Sequence, residues 1–103
     1  MKFLVLWHVE LSLLSRQMAA AVARMPGYAR PLERSGKVIA RYHLVGAHGG
    51  AWIYDVDSNE ELERLLGMAP VYNYARYQVH ALAEMIDPEP PDPEPLDPEV
   101  PGH

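Results

Sequence analysis

Between Lys2 and Leu82, four short runs of β-forming residues alternate with two helix-like runs in the order β-α-β-β-α-β. Few orders constrain a chain of this size as tightly. Each β-α-β crossover is right-handed, so two of them place their helices on the same side of one antiparallel sheet. The expected class is therefore α+β: a ferredoxin-like βαββαβ antiparallel sheet with helices on one face. The other face is left bare, and on a domain this small a bare face invites a second copy, so dimerisation through it is expected.

The runs are legible individually. Lys2 to Val9 is rich in β-formers. Ser12 or Ser15 can cap a helix in which Leu14, Met18, Ala21, Val22 and Met25 recur at helical spacing, and Pro26-Gly27 should end it. A short helical piece from Tyr28 to Ser35, with Pro31 in its first turn, is expected before Gly36 stops it. Lys37 to Val45 and Ala51 to Asp57 read as a hairpin around Gly46-Ala47-His48-Gly49-Gly50, whose glycines are expected to supply positive φ. Ser58-Asn59-Glu60-Glu61 is a capping box ahead of Leu62, Leu65, Leu66 and Ala69; Pro70 closes that helix and Tyr74 to Leu82 forms the last strand.

The chain of 103 residues allows one domain, predicted over residues 1–86. It buries only about 60–65% of its unfolded surface, and no cysteine is present for a disulfide, thiolate or zinc-thiolate site. Good packing and oligomerisation are the stabilisers left. Residues 87–103 hold seven prolines and six acids, which predicts a disordered acidic Pro-rich tail that solubilises the protein or docks a partner. Outside it stand nine basic and eight acidic residues, so the net charge of −5 belongs to the tail. Such a body favours small neutral or singly charged partners over nucleic acid or a membrane surface. The apolar run Phe3 to Trp7 is too short for a signal-peptide core, and a soluble cytoplasmic protein is expected.

Strand alternation sorts side chains into two faces. Phe3, Val5, Trp7 and Val9 oppose Lys2, Leu4, Leu6 and His8; Val38, Ala40 and Tyr42 oppose Ile39, Arg41 and His43; Tyr77 and Val79 oppose Gln78 and His80. With Ile53 assigned to the helix side, one polar face is predicted to gather His8, Arg41, His43, Trp52, Tyr54, Gln78 and His80. It suits a small, anionic, unsaturated ligand: Arg41 clamps a carboxylate, Trp52 and Tyr54 flank a planar ring, Gln78 adds a polar contact, and His8, His43 or His80 moves protons near neutral pH. Polar residues bonding across a dimer interface would make the same pattern. His43 and His48 lack further ligands for a metal, and Gly46-x-x-Gly49-Gly50 lacks the lysine and helix of a phosphate loop, so neither metal nor cofactor is expected.

Several landmarks resemble those of the muconolactone delta-isomerases. They are Gly36-Lys37-Val38, Leu44-Val45-Gly46-Ala47-His48-Gly49-Gly50, Ile53-Tyr54-Asp55-Val56-Asp57-Ser58, Glu61-Leu62, and Pro70 ahead of Tyr74. The resemblance implies a ferredoxin-like protomer that pairs sheet to sheet and assembles further into rings. It also implies proton transfer on an unsaturated lactone in aromatic-acid breakdown, without metal or organic cofactor. A base would abstract the acidic proton beside the lactone carbonyl and a donor would stabilise the dienolate oxygen. His43 stands where these isomerases tend to carry arginine, with Arg41 two residues away; Pro26, Gly27 and Pro31 interrupt a longer first helix; the tail is extra. A cofactor-independent isomerase or cyclase of an enolisable compound is the leading expectation. The alternatives are a cofactor-free monooxygenase of the antibiotic-biosynthesis type and a non-catalytic small-ligand-binding or assembly domain. The Ala-, Arg-, Leu- and Pro-rich composition suggests a GC-rich bacterial source.

Overall fold

The computed structural model describes residues 1–90, built as β1 (Lys2–Val9), α1 (Arg16–Ala23), α2 (Met25–Arg34), β2 (Val38–His43), β3 (Gly49–Asp55), α3 (Asn59–Gly67) and β4 (Ala75–Leu82). Residues 87–90 are exposed and carry no helix or strand, and the rest of the predicted tail, 91–103, lies outside the described residues. The four strands form one sheet in the order β2-β3-β1-β4, every neighbouring pair antiparallel. This is the α+β, ferredoxin-like arrangement that the order of the runs predicts. No helix among the described residues is long and apolar enough to cross a membrane.

Local chemistry accounts for the helix ends. Ser15 Oγ accepts from the Met18 N–H at 3.1 Å and starts α1; Ser58 Oγ accepts from the Glu61 N–H at 3.1 Å and starts α3. The Glu61 carboxylate reaches back to the Asp57 N–H at 3.5 Å, one residue before the expected capping-box partner, and also meets Lys37 Nζ at 2.7 Å. The first helical arm breaks at Arg24, which ends α1 and begins α2. That is two residues earlier than Pro26-Gly27 suggests. Pro26 sits in the first turn of α2, where its missing N–H costs nothing, whereas Pro31 lies inside the helix and not in a first turn.

The core lies between the helices and one sheet face. Phe3, Val5 and Trp7 of β1, Val38 of β2, and Trp52 and Tyr54 of β3 are buried against Met18 and Ala21 of α1, Met25 and Ala29 of α2, and Leu62, Leu65 and Leu66 of α3. Burial on this scale contributes roughly 1.5–3 kcal/mol for each large side chain. Leu14 and Val22, expected in the inner stripe, remain exposed at its margin.

Two features overturn the predicted division of faces. In β3 the aromatic residues turn inward and Ile53 turns outward: Tyr54 pairs with Phe3 and Trp52 with Val5, while Ile53 pairs with Leu4 and Ala51 with Leu6. Both parities of this strand are apolar, so alternation alone does not orient it; the gap beneath the helices takes the bulkier set. In β2 the register shifts between Val38 and Ala40. This bulge lets Val38, Arg41 and His43 share the helix side, where unbroken alternation would separate Val38 from the other two.

Candidate active site

A cleft of about 870 Å³ opens on the helix side, where the β2–β3 hairpin stands away from α1 and α2. Trp7, Gly50 and Trp52 form its base, Leu14, Met18, Val22 and Met25 its helical wall, and Arg41, His43 and His48 its polar rim. The volume falls in the range of small-molecule sites, and an apolar wall with a few convergent polar groups is their usual make-up.

The bulge in β2 aims Arg41 into the cleft. Its guanidinium carbon lies 5.3 Å from the Trp52 ring centroid, and Nη2 lies 3.0 Å from Glu33 Oε1 at the end of α2. The cation–π contact and the half-exposed ion pair each contribute about 1 kcal/mol or less, so they orient the side chain more than they stabilise the fold. Glu33 engages one edge of a group that carries five N–H donors, which leaves the remainder for a ligand. His43 follows two residues along the same strand face, opposite Gly50. His48 approaches from the hairpin turn, where its carbonyl accepts from the Val9 N–H at 2.8 Å.

Trp52 is fixed by its neighbours. Its ring stacks on Tyr28 at 6.1 Å and Tyr54 at 6.3 Å between centroids, and meets Trp7 edge to face at 6.2 Å. Tyr54 itself lies below the cleft, fully enclosed. Its hydroxyl donates to Tyr28 Oη at 3.1 Å, and Tyr28 Oη donates to the Leu65 carbonyl at 2.6 Å. Burial pushes both phenols above the usual tyrosine range, so they stay neutral and serve the packing of α2 on α3.

The two downstream glycines of the hairpin are there for space rather than conformation. Of the turn glycines only Gly46 has positive φ, at 78°. A Cβ on Gly49 would overlap the Trp7 carbonyl oxygen, and one on Gly50 would stand 2.7 Å from Trp7 Nε1 and 2.8 Å from Trp52 Nε1.

The seven residues predicted to share one face are thus divided. Arg41, His43 and Trp52 line the cleft, and Tyr54 supports it from within the core. His8, Gln78 and His80 are exposed on the opposite, helix-free face, in register with Arg76, Leu6 and Leu4 respectively. Trp7 and His48 join the cleft without having been singled out as binding residues. The signal for Trp7 is a large indole facing a glycine on the neighbouring strand, which becomes visible only once the β1–β3 register pairs Trp7 with Gly50. Among the described residues no group of three or more His, Cys, Asp or Glu is placed to hold a metal.

Comparison with known proteins agrees with this architecture. The family model for muconolactone delta-isomerase matches residues 1–87. The muconolactone delta-isomerase of Acinetobacter baylyi is 32% identical over 75 residues, covering 73% of this chain and 78% of that protein. The enzyme of the same name from Cupriavidus pinatubonensis is 37% identical over 62 residues, covering 60% and 67%. Among solved structures, a crystal structure of muconolactone isomerase superposes with a TM-score of 0.74 at 21% identity, over 89% of this chain and 98% of that one. A 5-chloro-2-hydroxyhydroquinone dehydrochlorinase from Burkholderia phenoliruptrix, in complex with 2,5-dihydroxybenzoquinone, superposes with a TM-score of 0.64 at 14% identity, over 82% and 96%. These two likenesses show the fold; the family model, spanning every helix and strand, shows the family. The chain belongs to the muconolactone delta-isomerase family.

Proposed function

We propose that this protein is a cytoplasmic, cofactor-independent isomerase that moves a proton between carbons of a small unsaturated lactone bearing a carboxylate, with muconolactone as the first candidate. The observation that carries the reading is Arg41, held over Trp52 by Glu33, with His43 two residues away on the same wall of an apolar cleft. Two residues along a strand span about 6–7 Å, roughly the distance from the carboxylate of a carboxymethyl arm to the far side of the five-membered ring that carries it. Arg41 takes the carboxylate, and the flat ring lies along the indole surface. The His43 imidazole removes a proton from a ring carbon conjugated with the lactone carbonyl, and the electron pair moves onto the carbonyl oxygen. The imidazolium then returns a proton to another carbon of the dienolate, so the double bond migrates and no atom is gained or lost. Family membership favours this chemistry over an oxygenase or a non-catalytic binding domain.

The test is proton NMR of muconolactone with the protein in deuterated water. Double-bond migration with deuterium entering the ring is expected from the wild type. In Arg41→Ala, kcat/KM should fall about 10–100-fold, mostly through KM, as a charge-assisted contact is lost. Exchange no faster than in buffer alone would sink the reading.

The helix-free sheet face goes with a homodimer or larger homo-oligomer. Leu4, Leu6, Ala51 and Ile53 form a band across its centre, with Tyr42 and Leu82 exposed beside it. Sedimentation velocity should report a dimer or larger species, and Leu6→Glu, which puts a charge at the middle of that band, should shift it to monomer. A wild type that sediments as a monomer at tens of micromolar would refute the pairing.

A further inference from the structure

Apart from the imidazoles of His43 and His48, Arg41 and Glu33 are the only charged side chains among the described residues that line the cleft. Their ion pair, 3.0 Å from Arg41 Nη2 to Glu33 Oε1, therefore cancels the cleft's one permanent positive charge. The pair does little for the fold. Glu33 stands in the last turn of α2, where a carboxylate opposes the helix dipole. With side chains 31% and 41% exposed, the contact itself adds little stability. Its consequence lies in the charge balance of the cleft.

The structure assigns Glu33 as a charge-selecting residue, which admits ligands carrying one carboxylate and turns away dicarboxylates of the same shape. This rests on the reading of Arg41 as the carboxylate anchor and adds what limits the charge a ligand can bring. Glu33 engages Nη2 and leaves other N–H donors of Arg41 open, so one incoming carboxylate still finds charge-assisted contacts. Two carboxylates about one guanidinium then carry a single net negative charge. A second ligand carboxylate finds no cation left, and the wall of Leu14, Met18, Val22 and Met25 offers it no donor to replace its lost hydration. Glu33 also repels it. Across about 6 Å at an effective dielectric of about 20–40, that repulsion alone weakens binding on the order of 10–100-fold. The partial exposure of Glu33 places the effect at the lower end of this range. Opening a lactone ring creates a new carboxylate, so such a filter separates a lactone acid from its own hydrolysis product, whose carbon skeleton is the same.

The test is isothermal titration calorimetry on the full-length chain at about pH 8, above the ordinary imidazole range. The probes are furan-2-carboxylate and furan-2,5-dicarboxylate, planar five-membered rings that carry one carboxylate and two. The wild type should bind the monocarboxylate at least about 10-fold more tightly than the dicarboxylate, and Arg41→Ala should abolish the binding of both. Glu33→Gln keeps an acceptor oxygen for Nη2 and loses only the charge. It should tighten the monocarboxylate about 3–10-fold and the dicarboxylate about 10–100-fold, because repulsion scales with ligand charge. Glu33→Asp keeps the charge and should hold the wild-type preference within about 3-fold, which leaves the claim testable should the glutamine variant fold poorly. A residue that merely held Arg41 in place would instead weaken both ligands by one factor in Glu33→Gln. The assignment is overturned if the wild type binds both furans equally or neither, if monocarboxylate binding survives Arg41→Ala, or if Glu33→Gln leaves the preference unchanged. Charge selection in a protein that never turns over muconolactone would preserve the role of Glu33 and remove the isomerase reading; turnover without charge selection would do the reverse.

Discussion

His43→Ala is expected to lower kcat for lactone isomerisation by about 10²–10⁴-fold while leaving KM within a few-fold and the fold intact. The magnitude is that of a lost general base. The selectivity follows from position: His43 is exposed on the rim of the cleft, opposite the bare Cα of Gly50, away from the buried core. Steady-state kinetics with deuterium incorporation provides the readout, because loss of the base removes exchange and double-bond migration together. Three other histidine variants give the claim its edge. His8→Ala and His80→Ala remove imidazoles from the opposite sheet face and should keep kcat within 2–3-fold. His48→Ala removes the second imidazole of the rim and should cost less than His43→Ala. Should His48→Ala abolish exchange while His43→Ala retains it, the base belongs to the turn and not to β2.

Gly49→Ala is expected to destabilise the fold by about 3–5 kcal/mol, the range reserved for substitutions that break a defined feature. Gly49 is buried and faces His8 across the β1–β3 pair. A methyl group there would overlap the Trp7 carbonyl oxygen and stand 2.9 Å from the Trp7 carbonyl carbon and 3.0 Å from the His8 Cα. All three are backbone atoms of the central strand, so no rotamer change relieves the clash; the two strands must part. At about 4–8 °C per kcal/mol for a domain of this size, the melting temperature should fall by roughly 12–40 °C. Thermal unfolding followed by circular dichroism measures it, with Gly67→Ala at the end of α3 as the contrast. A Cβ on Gly67 meets nothing within 4 Å, so that variant should be neutral or more stable by up to about 1 kcal/mol. A Gly49→Ala protein within 1 kcal/mol of wild type would show that β1 and β3 are not as closely seated as described.

The family relationship and the cleft reinforce each other unevenly along the chain. Identity to the curated relatives runs over 60–75 residues, while the family model spans all four strands. His43 and the first residues of α2 border the cleft itself. Pro26 and Met25 line its wall beside Arg41, so the break at Arg24 helps to shape the space a substrate would enter. A preference for a lactone other than muconolactone would be set here, at the helical wall, rather than at the sheet.

Much of the architecture was determined locally and so was legible in the sequence. The order of the runs dictated the topology because crossover handedness is fixed by the twist of strands and helices. Ser58 marked one helix start and the pair Ser12 and Ser15 the other, Ser15 proving to be the cap, because a side-chain oxygen there satisfies an orphan N–H; Leu62, Leu65 and Leu66 were assigned to the core because helical spacing puts them on one stripe. The site was less legible, because its assembly depends on which way strands face. β3 is apolar on both parities, so the choice between Trp52 with Tyr54 and Ala51 with Ile53 was made by the thickness of the layer under the helices. One extra residue in β2 then brought Arg41 and His43 to the same side as Trp52 and left His8, Gln78 and His80 on the other. The chain chose its elements residue by residue; the packing of helices on the sheet chose which of its polar residues would meet.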